Sequence, residues 1–179
     1  VGRKGLRRLD INHVDFQGNV VRGSLVAHRD TVADLADILS DLFDDRFPIE
    51  RMEPVELYNG DVNLSLEANN TSAFNCRRPS QINAPVADSP HAHGRAIDIN
   101  PYQNPWQDLR CDCWVPSADF ATARTGPGVI TKGSAPWELF TNRGWIWQNI
   151  KVADYMHFDT GYPSRARRPA DAASEAQPG

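Results

Sequence analysis

Two kinds of periodicity open the chain. Leu9, Ile11 and His13 alternate with Asp10 and Asn12, and Val20, Val21, Leu25 and Val26 form a second β-rich run. Gln17-Gly18-Asn19 supplies turn chemistry between them, so a β-hairpin is expected. The period then lengthens. Val32, Leu35, Ile38, Leu39, Leu42 and Phe43 recur at helical spacing, with Asp34, Asp37 and Asp41 off that stripe. This predicts a helix from about Asp30, its expected N-cap, to Phe43. Phe47-Pro48-Ile49 ends the helix and leads into an extended segment through Val55 and Leu57.

From Asn59 to Pro90 the pattern dissolves into Asn, Ser, Asp, Gly and Pro, which reads as loop with a short helix at Leu64 to Ala68. A loop this long in a compact domain is usually functional or disordered. Arg95 to Ile99 is a short strand, stopped by Asn100-Pro101, and Asn104 to Gly133 reads as irregular. A helix is expected from Ser134, its N-cap, through Phe140 to a stop at Gly144. Trp145 to Trp147 and Met156 to Phe158 are strand candidates. The Arg, Ala, Pro, Ser and Glu that follow Ser164 predict a disordered tail over 164–179, leaving 1–163 as a single domain. Helices and strands are interspersed without regular βαβ alternation. The expected class is α+β: a small central antiparallel sheet with two to three helices, and a site in a cleft on that sheet.

Composition narrows the function classes. With 40% hydrophobic and 23% charged residues, a core can form without disulfide scaffolding. A net charge of −4 gives no basic face for nucleic acid, and basic residues gather only at the two ends. No apolar run approaches the roughly 20 residues of a membrane span. The chain opens on Val1, as a processed or excised piece would. Cys111 and Cys113 stand too close in sequence to bridge each other without strain, which makes Cys76 the candidate partner for one of them.

The densest chemistry lies in Ser89-Pro90-His91-Ala92-His93-Gly94-Arg95-Ala96-Ile97-Asp98. Gly94, the β-rich Ile97-Asp98-Ile99 and Pro101 argue against a helix there. The expectation is a loop carrying His91, a turn near Gly94, and a strand that sets Asp98 beside it. A carboxylate in so apolar a strand is costly unless paired, and a divalent cation pairs it well. The second piece is Asp154-Tyr155-Met156-His157-Phe158-Asp159, where Met156 and Phe158 would face the core and His157 the opposite side. His91, Asp98 and His157 make a two-histidine, one-carboxylate set, the kind that holds catalytic zinc and leaves a position for water of pKa about 7. A carboxylate must then accept the water's proton. In a continuous strand Asp154 points away from His157 unless a turn intervenes, whereas Asp159 shares its face but lies about 7 Å along. On geometry alone both stay open.

The pattern Ser-x-His-x-x-Gly-x-Ala-x-Asp, followed by Asp-x-x-His, resembles the metal signature of the zinc D-Ala-D-Ala carboxypeptidase family. That family includes vancomycin-resistance dipeptidases and phage L-alanyl-D-glutamate endopeptidases. The resemblance runs roughly from Leu9 to Phe158, through Asn69 to Arg77, Asn100 to Pro105 and Gly144-Trp145-Ile146-Trp147. It implies one zinc ion on His91, Asp98 and His157, with Asp154 as general base. It also implies an oxyanion-stabilising arginine, for which Arg77 is the nearest match, with Arg78 and Asn75 as neighbours. Ser89, His93 and Asn75 are the substrate-binding candidates. The family's usual Gly-Gly after Gly-Trp-x-Trp is here Gln148-Asn149, a departure that bears on the shape of the adjoining cleft but not on the metal.

The implied activity is hydrolysis in peptidoglycan stem peptides by a secreted or cell-wall-associated bacterial monomer, with no nucleic-acid partner. A D-Ala-D-Ala carboxypeptidase and an L-Ala-D-Glu endopeptidase stand nearly level, with a lean to the former. The contrasting reading is a non-catalytic, zinc-stabilised module that binds cell-wall peptide, for which a fourth ligand such as His93 or Cys76 would be the sign. His13 and His28 read as structural, and the five tryptophans as core more than platform.

Overall fold

The computed structural model describes residues 5–76 and 89–161; Arg77, Arg78 and the tail 164–179 lie outside them. Strands β1 (Leu6–Val14) and β2 (Val20–His28) form the expected antiparallel hairpin, with Leu9 opposite Leu25 and Val14 opposite Val20. Its turn closes on the Asp15 carboxylate, which accepts from the Gln17 and Asn19 N–H groups. Helix α1 (Val32–Asp44) buries the predicted stripe of Leu35, Ile38, Leu39 and Leu42, which joins Leu25 and Ala27 of the hairpin in the main core. Its N-cap is Thr31 rather than Asp30. The Asp30 carboxylate is drawn instead to the His28 ring and, at 2.8 Å, to the Arg95 guanidinium, a charged partner that a single helix N–H does not match.

The extended run expected through Leu57 is shorter in fact. β3 (Arg51–Met52) pairs in parallel with β4 (Asn70–Thr71), and after Pro54 the chain turns into a 3₁₀ helix at Val55–Tyr58. Helix α2 (Val62–Glu67) follows, capped by Asp61, whose carboxylate accepts from Asn63 at 2.8 Å. After β5 (Ala96–Asp98), the stretch read as irregular contains an antiparallel hairpin of β6 (Trp106–Asp108) and β7 (Cys113–Val115). Helix α3 (Ala135–Thr141) begins after Ser134 as expected, and β8 (Ile146–Trp147) and β9 (His157–Asp159) complete the described chain.

The class is mixed helix and strand, but one central antiparallel sheet is not what forms. Among the described residues four small sheets appear: three are antiparallel, including the three-stranded β5–β9–β8, and β3–β4 is parallel. Buried amide side chains take over where a longer ladder would have run. Asn104 donates to the Ile99 and Gly128 carbonyls and accepts from the Ile130 N–H, while Asn100 donates to Pro48 O. Below β9, Phe158 stacks on Phe140 with ring centroids 4.2 Å apart. Met156 joins Val62 and Leu66 in a second, smaller cluster.

The cysteine expectation is overturned. Cys111 and Cys113 are bonded to each other, and Cys76 is free and exposed. Asp112 between them takes a φ of 50°, which folds the chain back and sets the two Cα atoms 5.2 Å apart, an ordinary disulfide separation. No helix among the described residues is long and apolar enough to cross a membrane.

Candidate metal centre

His91 sits on a 3₁₀ turn, Pro90–His93, that ends at Gly94 with φ 67°. A side chain at Gly94 would meet the His28 backbone N at 2.7 Å, because Gly94 O accepts from that N–H at 2.8 Å. The turn is thereby fastened to the end of β2, and only glycine fits there. Asp98 ends β5 directly opposite His157 on β9, with Ile97 opposite Phe158. The ladder alone therefore brings together residues 59 apart in sequence. On the other edge of β5, Asp98 and Ser72 exchange backbone hydrogen bonds, which holds Ala73 near His91.

Three donor atoms converge. His91 Nε2 lies 3.0 Å from His157 Nδ1 and 3.2 Å from Asp98 Oδ2, and His157 Nδ1 lies 3.1 Å from Asp98 Oδ1. That triangle is small enough for one ion about 2 Å from each corner. The outer edges of both rings are taken. His91 Nδ1 faces Ala73 O at 2.7 Å, which only an N–H can satisfy. His157 Nε2 faces Asp159 Oδ2 at 2.9 Å. With protons held outward, each ring turns a lone pair inward, beside a buried carboxylate. Such a set calls for a cation at its centre, and these three residues could hold a metal ion.

The electrostatics agree. Burial alone would raise the Asp98 carboxyl, yet His91 and His157 beside it hold it well below the usual carboxylate range. Burial alone would lower the His157 imidazole, yet Asp159, Asp98 and the charge of Asp154 push it well above its ordinary value. Positive charge is favoured here, whether carried by a proton or by a metal that displaces it.

Residues 83–160 match a family model described as D-alanyl-D-alanine carboxypeptidase. The match takes in both the Ser89–Asp98 motif and the Asp154–His157 piece, bears out the resemblance they carry, and supports peptidase activity of the peptidoglycan-acting kind in general. No curated protein and no solved structure matches the chain.

The remaining candidate residues differ in placement. His157 is buried on both faces rather than turned away from the core. At Asp154 the chain makes a turn, closed by His157 N–H donating to Asp154 O at 3.3 Å, in place of a continuous strand. That turn brings the Asp154 charge to bear on His157. Asp154 is half-buried, whereas Asp159 is 1% exposed and engaged by the far side of the ring. Ser89 is buried at the start of the His91 turn, and His93 is half-buried on it. Asn75 is 3% exposed, its N–H donates to His91 O at 3.1 Å, and its side-chain Oδ1 and Nδ2 have no hydrogen-bond partner among the described residues. Arg77, two residues on, is outside the described chain.

Sequence reasoning missed the supports. Ala73 O, Gln148 and Asn149 carry no chemical signature of their own. Gln148 Oε1 accepts from the Asp154 N–H at 3.2 Å, and Asn149 Nδ2 donates to Asp159 Oδ1 at 3.0 Å. The replacement of the resembled family's Gly-Gly by Gln148-Asn149 is the one signal of these supports in the sequence.

Proposed function

We propose that this protein is a zinc-dependent peptidase of peptidoglycan stem peptides, acting first as a D-Ala-D-Ala carboxypeptidase. The observation that carries this reading is the convergence of one inward nitrogen from each of two imidazoles and one buried carboxylate, each ring anchored from behind. His91 through Nε2, His157 through Nδ1 and Asp98 would hold the metal. Among the described residues no fourth His, Cys, Asp or Glu joins the set, which favours catalysis over a closed structural site. The bound ion would polarise the scissile carbonyl and acidify a water.

The chain's own residues do the rest. Asp154 accepts the proton lost from the attacking water and passes it to the leaving amine. Asp159 is unsuited to that work, because its two oxygens are already committed to His157, Asn149 and Gly161. Asn75 offers a buried amide with unspent hydrogen bonds beside His91, a fitting contact for substrate. Arg77 is assigned the charge developing on the attacked carbonyl oxygen.

Purified muropeptides, digested with and without prior chelation and resolved by mass spectrometry, test the reading. Loss of terminal D-alanine that stops on chelation and returns with zinc is expected. Cleavage between L-Ala and D-Glu instead would reassign the bond while keeping the site, and turnover indifferent to chelation would end the proposal.

A further inference from the structure

Each of the two nitrogens of His157 has a carboxylate partner. Asp98 lies 3.1 Å from Nδ1 on the inner side, and Asp159 lies 2.9 Å from Nε2 on the outer side. Asp159 does not hang on this contact alone. Its other oxygen accepts from Asn149 Nδ2 at 3.0 Å and from the Gly161 N–H at 2.7 Å, and the side chain is almost wholly buried. A carboxylate held at three points has little rotational freedom, and the ring it grips inherits that rigidity.

We infer that Asn149 and Asp159 form a positioning relay that fixes the tautomer and orientation of His157, so that Nε2 keeps the proton and Nδ1 is the nitrogen offered to a metal. The inference rests on the metal reading above and adds to it. A neutral imidazole in water favours neither arrangement strongly, and a freely turning ring presents its lone pair in the wrong place much of the time. Asp159 removes that choice, because a carboxylate accepts but cannot donate. It also raises the electron density at the inner nitrogen, as carboxylates behind ligating histidines do. Behind His91 Nδ1 stands the Ala73 carbonyl, where behind His157 Nε2 stands a carboxylate. Asn149 acts one step further out. It stands in one of the two positions where the family resemblance calls for glycine, and glycine has no side chain with which to hold Asp159.

The relay is tested on the whole chain by chelator competition for zinc, with thermal melts run in parallel. Asp159→Ala is expected to weaken zinc about 10- to 100-fold, the usual cost of removing such a support. Asp159→Asn and Asn149→Gly should lose less, in that order. Cobalt(II) bound in place of zinc should show shifted visible bands in the Asp159 variants, a change that a merely loosened fold would not produce. In the zinc-loaded wild type, long-range ¹H–¹⁵N spectra should find His157 protonated on Nε2 and metal-bound on Nδ1. That measurement needs no variant, so misfolding of Asp159→Ala leaves the idea exposed to refutation. The opposite tautomer, or well-folded variants that hold zinc as tightly as wild type, overturns the relay alone. A wild-type protein that takes no zinc overturns the metal reading, and the relay falls with it.

Discussion

The layer of β1, β2 and α1 and the layer of β5, β9 and β8 share one apolar core, to which Leu25 and Leu35 contribute from one side and Ile97 and Phe158 from the other. They are specified by different forces. In the first layer a 13-residue helix lays an apolar stripe on a hairpin of two nine-residue strands, and register follows from the turn and the alternation. In the second, strands of two or three residues are too short to define themselves. Buried Asp98, His157, Asp159, Asn100 and Asn104 do that work through directed hydrogen bonds. An apolar layer tolerates substitutions that conserve volume, whereas a polar network is only as good as its least satisfied member.

The sharpest separation between the layers should come from Asp154→Ala. Turnover is expected to fall about 10²- to 10⁴-fold, as for loss of a general base. Zinc content and melting temperature should stay near wild type, because Asp154 lies in a turn beside the centre and outside both cores. Retained turnover in a zinc-loaded variant would remove Asp154 from the mechanism.

Next in size is a matched pair. Asn104→Leu keeps volume but strands the Ile130 N–H and the Ile99 carbonyl, and should cost about 3 kcal/mol in denaturant unfolding. Ile38→Leu on α1 keeps volume in an equally buried position and should cost less than about 1.5 kcal/mol. Equal losses would erase the distinction drawn here.

The smallest effect is one of pH. His13, buried under the first layer, has its imidazole pushed below the ordinary value mainly by burial. The unfolded chain therefore binds this proton more readily than the folded one, so the contribution of His13 to stability is present at neutral pH. It is lost as pH falls below the unfolded value near 6.5. The slope for one proton cannot exceed about 1.4 kcal/mol per pH unit. Unfolding curves between pH 7 and 5 should be steeper in pH for wild type than for His13→Asn, and parallel pH dependence would refute the assignment.

Legibility in the sequence follows the same division. The hairpin, α1 and α3 were readable because a repeated apolar period leaves the backbone few alternatives. That His91, Asp98 and His157 would come together was legible because such side chains are chemically rare in so apolar a context. The parallel pairing of Arg51 with Asn70 and the β6–β7 hairpin were not readable, since two- and three-residue strands have no period. The disulfide is not legible because the short sequence distance between Cys111 and Cys113 argues against it, and only the positive φ at Asp112 makes it possible. Asp154 and Asp159 could be separated only once the turn at Asp154 was visible, because period-two reasoning presumes an uninterrupted strand.

The ladder between β5 and β9 carries a further consequence. It is three pairs long, and a slip of one pair would present Phe158 or Met156 to Asp98 in place of an imidazole. So short a ladder has little of its own with which to reject the wrong alignment. An ion held by His91, Asp98 and His157 as proposed would be gripped only when the correct partners face each other and would lend its affinity to that alignment, so that assembling the centre and proofreading the sheet would become a single event.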